Sequence, residues 1–350
     1  MKVLVAMSGG VDSSVAAALL RDEGHEVVGV TMKLWGGESD TGCCSVSDVD
    51  DARRVARALG IEHHVFNFGD RFTTDVVEPY VDAHATGLTP NPCIECNRHL
   101  KFDKLLRRAR ALGFDAVATG HHARVVTRAD GTLRVARGAD ARKDQSYVLY
   151  MLEQRQLEQT ILPLGAMTKD DVRAIAARLG LPTATKADSQ DVCFITSSAG
   201  REGFLGRRLS FTPGRVVDQH GAVVGAVDAV ELVTIGQRRG IGGNGGTATA
   251  RYVVDVDVPR ATVTVGDERA LLVDHTTLRD VTWTHRPVEG DVRAQCSAHG
   301  AAVPATFDAT SSTVVWHEPH RRVAPGQAVV LYDGDEVVGG GITARVLAPR

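Results

Sequence analysis

The chain has 350 residues, of which 43% are hydrophobic and 24% are charged, and its formal net charge is -3. This composition is ordinary for a globular protein and excludes a generally basic surface, so an RNA partner would need a local basic face. No apolar run approaches the ~18 residues of a membrane span, and the apolar start is too short for a signal peptide. We therefore expect a cytoplasmic protein that does not contact membranes.

The first predicted elements are a strand, a glycine-rich turn and a helix. An apolar run over residues 3–6 precedes Met7-Ser8-Gly9-Gly10-Val11-Asp12-Ser13-Ser14, and helix-forming residues follow. Such a turn presents backbone N–H groups at a helix N-terminus, where anions are favoured. Asp12 would repel a bare phosphate, so we predict a Mg²⁺ ion between the two. The endings typical of Walker A and dinucleotide-binding turns are absent.

Short apolar runs alternate with helical patterns to about residue 206. This alternation predicts a parallel, doubly wound α/β sheet whose strand ends hold ligands. The turn at 8–13, Met32 and Gly120 all fall at predicted strand ends. A hairpin that turns at Asp130-Gly131 interrupts the alternation. A capped helix is predicted later, over Thr168–Leu179.

The helical period disappears after about residue 207, and Val- and Thr-rich runs alternate with turn signals. This pattern predicts two small all-β domains. We therefore expect three domains, at residues 1–206, 207–275 and 276–350.

The cysteines are the second feature of the sequence that indicates a chemical role. Cys93 and Cys96 form a Cys-x-x-Cys, and Cys193 lies far downstream. A structural zinc site needs four ligands, whereas a [4Fe-4S] cluster could be held by these three with one iron left open. The spacing assigns no role to Cys43, Cys44 or Cys296.

A third interpretation is sulfur transfer. Adenylation converts a poor leaving oxygen into AMP, which a thiolate or persulfide can then displace. Arg98, His99 and Lys101 directly follow Cys96 and would favour its thiolate. Two thiols within disulfide reach are also what the release of persulfide sulfur requires.

The glycine-rich turn resembles the pyrophosphate (PP) loop of the N-type ATP pyrophosphatases. The whole series of motifs resembles the bacterial tRNA-specific 2-thiouridylases, a family that thiolates C2 of the wobble uridine, and the resemblance covers nearly the whole chain. The motifs that carry it, besides the turn itself, are Thr89–Asn97, Ala118–His121, Lys143–Tyr147, Asp188–Ile195 and Thr234–Arg238.

The resemblance implies a tRNA-uridine 2-sulfurtransferase that uses ATP and Mg²⁺ and acts on position 34 of the tRNAs for Lys, Glu and Gln. A cysteine desulfurase or a sulfur-relay protein would supply sulfur. Cys96 would be the nucleophile and Cys193 the persulfide carrier. ATP would contact Ala6, Met7, Ser8, Gly9, Gly10, Val11, Asp12, Ser13, Met32 and Gly120. The target base would contact Asn91, Pro92 and Cys93, and the tRNA would contact His121, Lys143, Asp144, Gln145 and Gln327.

One departure from the family's pattern, one surface with two possible roles and two alternative activities accompany this interpretation. The family's Arg-Tyr tRNA contact in the last domain aligns with Gln295-Cys296, which removes a cationic side chain. The charged face formed by Lys101, Lys104 and Arg108 is either solvated or an RNA backbone contact. The alternative activities are an iron–sulfur-dependent tRNA thiolase and another PP-loop adenylating enzyme, which would need no cysteine pair.

Overall fold

A computed structural model of the protein describes residues 1–34, 46–188, 192–195, 199–242 and 250–345. The described residues form three sheets. Among the helices in these ranges, none combines the length and the apolar character needed to cross a membrane.

The first sheet is parallel and carries the glycine-rich turn, as predicted. Its strands are β1 (Lys2–Ala6), β2 (Glu26–Lys33), β3 (Glu62–Asn67), β4 (Ala116–Thr119) and β7 (Thr160–Ile161). They lie in the order β3-β2-β1-β4-β7, with β1 in the centre. A hairpin of β5 (Ala123–Thr127) and β6 (Leu133–Arg137) follows β4 and turns at Gly131, as its Asp-Gly sequence predicts.

Helices cover both faces of this sheet. Val3 and Val5 of β1 pack on one side against the first helix, whereas Leu4 joins a separate apolar cluster on the other side. The α-helices are α1 (Val11–Asp22), α2 (Val46–Leu59), α3 (Gly69–Phe72), α4 (Glu78–Ala85), α5 (Pro92–Glu95), α6 (Leu106–Ala111), α7 (Gln154–Leu157), α8 (Lys169–Arg178) and α9 (Gly200–Gly206).

The helix predicted over Leu100–Leu112 begins earlier than expected. It starts at Pro92, where the side chain of Asn91 accepts a hydrogen bond from the backbone N–H of Cys93. Between α5 and α6 the chain is π-helical over Cys96–Leu105. The i→i+5 period of a π-helix changes which side chains share a face. The predicted common face of Lys101, Lys104 and Arg108 assumed the α-helical period, and that assumption is wrong for the two lysines.

The second sheet is small and contains β8 (Gly214–Val217), β9 (Val223–Val227), β10 (Tyr252–Asp257) and β11 (Thr262–Gly266), in the order β10-β11-β8-β9. Alternate valines point to one side, and they form an apolar cluster separate from that of the first sheet.

The last six strands close into a barrel. They are β12 (Leu272–Trp283), β13 (Gly290–Gln295), β14 (Val303–Asp308), β15 (Thr313–Arg321), β16 (Ala328–Asp333) and β17 (Glu336–Thr343). Their order is β12-β15-β14-β13-β16-β17, and β17 pairs back onto β12. The two predicted β regions are therefore confirmed as folds. The predicted boundary between residues 275 and 276 falls inside β12, because this strand begins at Leu272.

The barrel is joined to the first part of the chain by a sheet extension. Ala136 of β6 pairs with Glu336 of β17, so the β5–β6 hairpin lengthens the barrel sheet to eight strands. Arg128 of the same hairpin lies 3.0 Å from Glu336. The β5–β6 hairpin and the barrel strands thus share one hydrogen-bonded sheet.

Candidate active site

The glycine-rich turn is shaped by a close approach to α2. Gly9 has a φ of +73°, and a Cβ atom there would lie 2.3 Å from the carbonyl oxygen of Asp48. Glycine is therefore needed both for the backbone angle and for the available space. Past the turn, Ser13 accepts a hydrogen bond from the N–H of Ser8 at 3.2 Å and donates to the carbonyl of Gly10. The turn is thereby closed over the start of α1.

The predicted ATP-binding residues lie on neighbouring strand ends. Ala6, the last residue of β1, pairs with Val30 on one side and with Thr119 on the other. Gly120 follows Thr119, and a Cβ atom there would lie 2.7 Å from the backbone nitrogen of Ser13. Met32 sits near the end of β2 and is buried. The geometry brings the turn, Met32 and Gly120 to one edge of the sheet, as the sequence predicts.

Asp12 makes contacts that the sequence does not predict. Its two carboxylate oxygens both accept hydrogen bonds from Lys169 Nζ at 2.7 Å, and His122 Nε2 lies 3.2 Å from Oδ1. Burial alone would raise the pKa of Asp12, but hydrogen bonds from His122 and Lys169 outweigh it and hold the pKa below the usual value. Asp12 is therefore an ionised carboxylate enclosed by two cationic or polar groups.

Asp188 extends this charge network. Its Oδ1 lies 2.9 Å from Lys169 Nζ and 2.8 Å from Arg173, and its Oδ2 lies 2.8 Å from Lys143 Nζ. Burial would raise the pKa of Asp188, but these lysines lower it far more. Lys169 and Arg173 appear in the sequence only as part of a capped helix, so no local signal marks them as part of the site.

A second lysine fastens the turn to α2. Lys186 Nζ donates to the carbonyl of Gly9 at 3.0 Å and lies 2.6 Å from both Asp48 and Asp51. Burial would lower the pKa of Lys186, but the two carboxylates raise it. Lys186 thus connects the turn to α2.

The carboxylates of Asp12 and Asp188 suit Mg²⁺, which commonly takes one or two carboxylates together with substrate phosphates. In the portion of the chain that the structure describes, no three His, Cys, Asp or Glu side chains gather into a metal-binding group. Asp12 and Asp188 both contact Lys169 Nζ beside the glycine-rich turn, so these carboxylates fit an ion that shares its ligands with a phosphate substrate.

Three predicted RNA contacts lie around the same edge. Lys143 and Gln145 are exposed, and Gln145 Oε1 accepts a hydrogen bond from the backbone N–H of His122. Asp144 is largely buried and accepts hydrogen bonds from Arg137, from Ser146 and from the backbone of Gly138. Its carboxylate is saturated with protein donors, which argues against the predicted direct contact of Asp144 with tRNA.

His121 is also buried, contrary to the expectation for an RNA contact. It is 7% exposed, its Nδ1 lies 2.7 Å from Thr119 Oγ1, and its ring lies against Phe102. Burial lowers its pKa well below the usual value. Because protein encloses this ring, its burial argues against the predicted direct contact of His121 with tRNA.

Gln327 joins the barrel to the cysteine segment. Its side-chain amide donates to the carbonyl of Thr89, and the N–H of Thr89 donates to the carbonyl of Pro325 at 2.8 Å. A Cβ atom on Gly326 would lie 3.0 Å from the Thr89 nitrogen. The barrel loop therefore holds the chain two residues before Asn91.

Gln295 is also internal. It is 2% exposed, and its side chain bonds to Arg137 and to the carbonyl of Ser297. Cys296 beside it has its pKa raised to about 12 by burial. This part of the last domain therefore links the barrel to β6.

The thiols lie in apolar surroundings. Cys96 is 8% exposed, and both it and Cys193 pack against the apolar cluster that covers one face of the first sheet. Phe194, next to Cys193, contacts the rings of Phe72 and Tyr80 at centroid distances of 5.5 Å each. Cys93 and Cys193 are partly buried. Cys43, Cys44 and residues 189–191 of the Asp188–Ile195 motif lie outside the described residues.

The cluster of Cys93, Cys96 and Cys193 predicted as an iron–sulfur alternative does not form a ligand set. These three residues are described, and they are not brought together as a group that could hold a metal ion. The structure therefore gives this alternative no support.

A short segment connects the turn with the thiols. The N–H of Gln145 donates to the carbonyl of His122, which contacts Asp12, and three residues later the carbonyl of Val148 accepts from Asn97 at 2.9 Å. Asn97 directly follows Cys96. The polar edge around Asp12 and the helix that bears Cys96 are thus held by the same segment, residues 145–148.

Three family models match the chain in series. They are described as the tRNA methyl transferase HUP domain (residues 1–197), the tRNA methyl transferase PRC-barrel domain (residues 202–267) and the aminomethyltransferase beta-barrel domain (residues 273–343).

Curated relatives match over nearly the full length. The tRNA-specific 2-thiouridylase MnmA of Moorella thermoacetica is 46% identical over 98% of this chain and 99% of the relative, and that of Heliobacterium modesticaldum is 45% identical over 99% and 93%. Among solved structures, a 4-thiouridine synthetase–RNA complex with bound ATP is 21% identical, covers 55% of this chain and 44% of that chain, and has a TM-score of 0.37. A similarity this remote carries no argument about function.

Proposed function

Because the chain belongs to the family of tRNA-specific 2-thiouridylases, we propose that it replaces the C2 oxygen of the wobble uridine of tRNA with sulfur, at the expense of ATP. It is a tRNA-uridine 2-sulfurtransferase. The tRNAs for Lys, Glu and Gln are the proposed substrates, and a cysteine desulfurase or a sulfur-relay protein is the proposed sulfur donor.

The first step is adenylation of the base. The uridine C2 oxygen attacks the α-phosphorus of ATP, and pyrophosphate leaves. Residues Ala6–Ser13, Met32 and Gly120 are proposed to hold the nucleotide, because they meet at one sheet edge beside a helix N-terminus. A bound Mg²⁺ would neutralise phosphate charge, and Asp12 is its proposed protein ligand. Extrusion of the target base costs little because a wobble base is unpaired in free tRNA.

The second step transfers sulfur. The terminal sulfur of a Cys193 persulfide attacks C2, and AMP leaves. The Cys96 thiolate then attacks Cys193 Sγ, which forms a Cys96–Cys193 disulfide and releases the 2-thiouridine. A thiol reductant must reduce this disulfide before the next turnover. In the alternative order, Cys96 first attacks the persulfide and releases hydrosulfide, which attacks C2.

The proposal rests on the connection between the polar sheet edge around Asp12 and the apolar surroundings of Cys96 and Cys193. Asp188 contacts Lys169 and thereby Asp12, and Cys193 lies five positions after Asp188 in the chain. Cys193 packs against the same apolar cluster as Cys96. We further propose that Asn91, Pro92 and Cys93, at the start of the Cys96 helix, contact the target base, and that exposed Lys143 and Gln145 contact the tRNA.

Direct measurement of 2-thiouridine tests this function. Purified protein is incubated with ATP, Mg²⁺, a desulfurase with cysteine, and unmodified tRNA, and digested nucleosides are quantified by mass spectrometry. We expect product with the wild type and a loss of about a thousandfold or more with Cys96→Ser or Cys193→Ser, as for removal of a covalent nucleophile. Cys296→Ser is the matched control and should retain activity, because burial holds the pKa of that thiol at about 12.

Two results would contradict this proposal. Full thiolation by both Cys96→Ser and Cys193→Ser would refute the two-cysteine mechanism. AMP release without any thiolated nucleoside, at any tRNA concentration, would indicate a different PP-loop adenylating enzyme.

A further inference from the structure

The segment that leads to the proposed base-contacting residues is held by other parts of the molecule. Residues 86–89 lie between the end of α4 and residues 91–93, and they belong to no helix or strand. A loop without regular structure takes its position from the scaffold around it. The contacts that hold residues 86–89 therefore set where residues 91–93 lie.

The barrel holds one end of this segment. Thr89 donates its N–H to the carbonyl of Pro325 at 2.8 Å, and its own carbonyl accepts a hydrogen bond from the side chain of Gln327. The barrel loop is fixed in turn to the last residue of β17, since the N–H of Gly326 donates to the carbonyl of Thr343 at 3.0 Å. Thr89 is therefore attached to the closed sheet of the barrel.

Arg345 holds the other end of the segment and reaches a third domain. Two residues beyond β17, its guanidinium donates from Nη1 to the carbonyl of Thr86 at 3.0 Å and from Nη2 to the carbonyl of Val256 in β10. A planar guanidinium presents its donors in a fixed fork, so the two carbonyls are held at a set separation. Because both acceptors are main-chain carbonyls, one side chain of the barrel fixes the backbones of the first domain and of the second sheet.

The second sheet also packs directly on the segment. Gly87 has a φ of +75°, and a Cβ atom there would lie 3.0 Å from Val258 Cγ2. Glycine therefore serves both the backbone angle and the close approach. Residues 86–89 thus contact the barrel at Thr86 and Thr89 and the second sheet at Gly87.

We propose that Arg345 is a positioning residue for thiolation, which fixes residues 91–93 relative to the two β domains so that the target uridine meets the nucleotide. The inference rests on the proposed adenylation of the base. In this role Arg345 acts through the main chain of residues 86–89 rather than by touching the base or ATP. Misplacement of a reacting group by about 1 Å costs about a hundredfold in rate, so the effect falls on the chemical step and not on tRNA binding.

Steady-state kinetics of tRNA-dependent pyrophosphate release test this role, with tRNA affinity measured separately by filter binding. We expect Arg345→Met to lower kcat per folded molecule about tenfold or more, whereas the KM for ATP and the Kd for tRNA stay within about threefold of the wild type. Arg345→Lys keeps the charge but lacks the fork that holds both carbonyls, so it should recover only part of kcat. Arg260→Met is the matched control, because this arginine just after β10 is 76% exposed, and its kcat should be unchanged.

A pair of glycines tests the segment without changing any charge. Gly87 and Gly113 each follow a helix with a positive φ, of +75° and +77°, but a Cβ atom at Gly113 would have no described neighbour within 4 Å. Alanine strains the backbone at both positions, so both variants should unfold at a lower temperature. Only Gly87→Ala should also lower kcat, by about threefold or more, because only its Cβ atom displaces the segment from Val258.

Two results would overturn the proposal. If Arg345→Met unfolds at a lower temperature while kcat per folded molecule is unchanged, Arg345 only joins the domains. If Arg345→Met weakens tRNA binding and Arg345→Lys restores both binding and kcat in full, the charge attracts RNA and the fork has no positioning role.

Should Arg345→Met not fold, Arg345→Lys and Gly87→Ala supply the same comparison, and an unchanged kcat in both would overturn the proposal. A wild type that neither releases pyrophosphate nor forms 2-thiouridine with tRNA would instead refute the proposed function.

Discussion

The edge around Asp12 and the surroundings of Cys193 are held together by different forces. Asp12, Lys169 and Asp188 form ion pairs at 2.7–2.9 Å, whereas Phe194 sits among the rings of Phe72, Tyr80 and Phe204. Ion pairs respond to pH, salt and bound charge, while aromatic packing responds to lost volume. Adenylation and sulfur transfer should therefore be separable by mutation.

The largest effect on stability should come from a substitution in the aromatic cluster around Phe194. Phe194→Ala removes a ring that is 6% exposed and should lower the free energy of unfolding by about 3–5 kcal/mol. Because this cluster does not touch Asp12, tRNA-dependent pyrophosphate release by the folded fraction should persist while 2-thiouridine formation falls. Urea denaturation and the two activity assays check this, with Phe194→Leu as the milder control. Equal losses of both activities in folded protein would contradict the separation.

An intermediate effect is expected from Arg137, which holds the segment that contacts both the Asp12 edge and the Cys96 helix. Arg137 donates to buried Asp144 at 2.8 Å and to Gln295 at 2.7 Å, and its guanidinium stacks on Tyr332. Arg137→Met leaves Asp144 and Gln295 without these bonds and should destabilise the protein by about 2–3 kcal/mol.

Both activities should fall together in Arg137→Met, because residues 143–148 contact both regions. Denaturant midpoints and parallel assays measure this, and Arg260→Met, at a side chain that is 76% exposed, is the control for loss of one arginine. Selective loss of thiolation alone would contradict a shared role.

The smallest effect concerns pH. Folding lowers the pKa of Asp188, mainly because Lys143 and Lys169 outweigh the opposing effect of burial. A lowered folded-state pKa adds stability above the unfolded value of about 4, and this stability is lost as the pH falls toward the folded-state pKa.

Between pH 5 and pH 3 the wild type should therefore lose more stability than Asp188→Asn. The difference should stay below about 1 kcal/mol, since Asp188 is one-third exposed and solvent screens its ion pairs. Urea midpoints at the two pH values measure it. A steeper pH dependence in the variant would show that other carboxylates control this region.

The sequence was sufficient where local patterns decide the structure. Strand β4 and the Asp-Gly hairpin follow from short apolar runs and turn chemistry, and the meeting of the turn, Met32 and Gly120 follows from the topology of a parallel sheet. Which residues contact ligands at that edge stays a prediction.

Contacts between distant segments could not be predicted in the same way. Lys169 reaches Asp12 across 157 positions, and nothing in a capped helix announces that contact. His121 and Asp144 occur in motifs that suggest exposure, but tertiary packing buries them. The π-helical course of Cys96–Leu105 could not be predicted either, because its residues carry no local signal for an i→i+5 period.

The pairing of β6 with β17 has a consequence for biosynthesis. Ala136 leaves the ribosome two hundred positions before its partner Glu336. Until the barrel forms, the hairpin therefore presents an unpaired strand edge, the kind of surface that recruits other nascent chains. Arginines at 124, 128, 134 and 137 line this hairpin, and their charge opposes such pairing during translation. Once β16 and β17 have been synthesised, Asp333 and Glu336 form ion pairs with Arg128 and Arg134 and so favour the native pairing of β6 with β17.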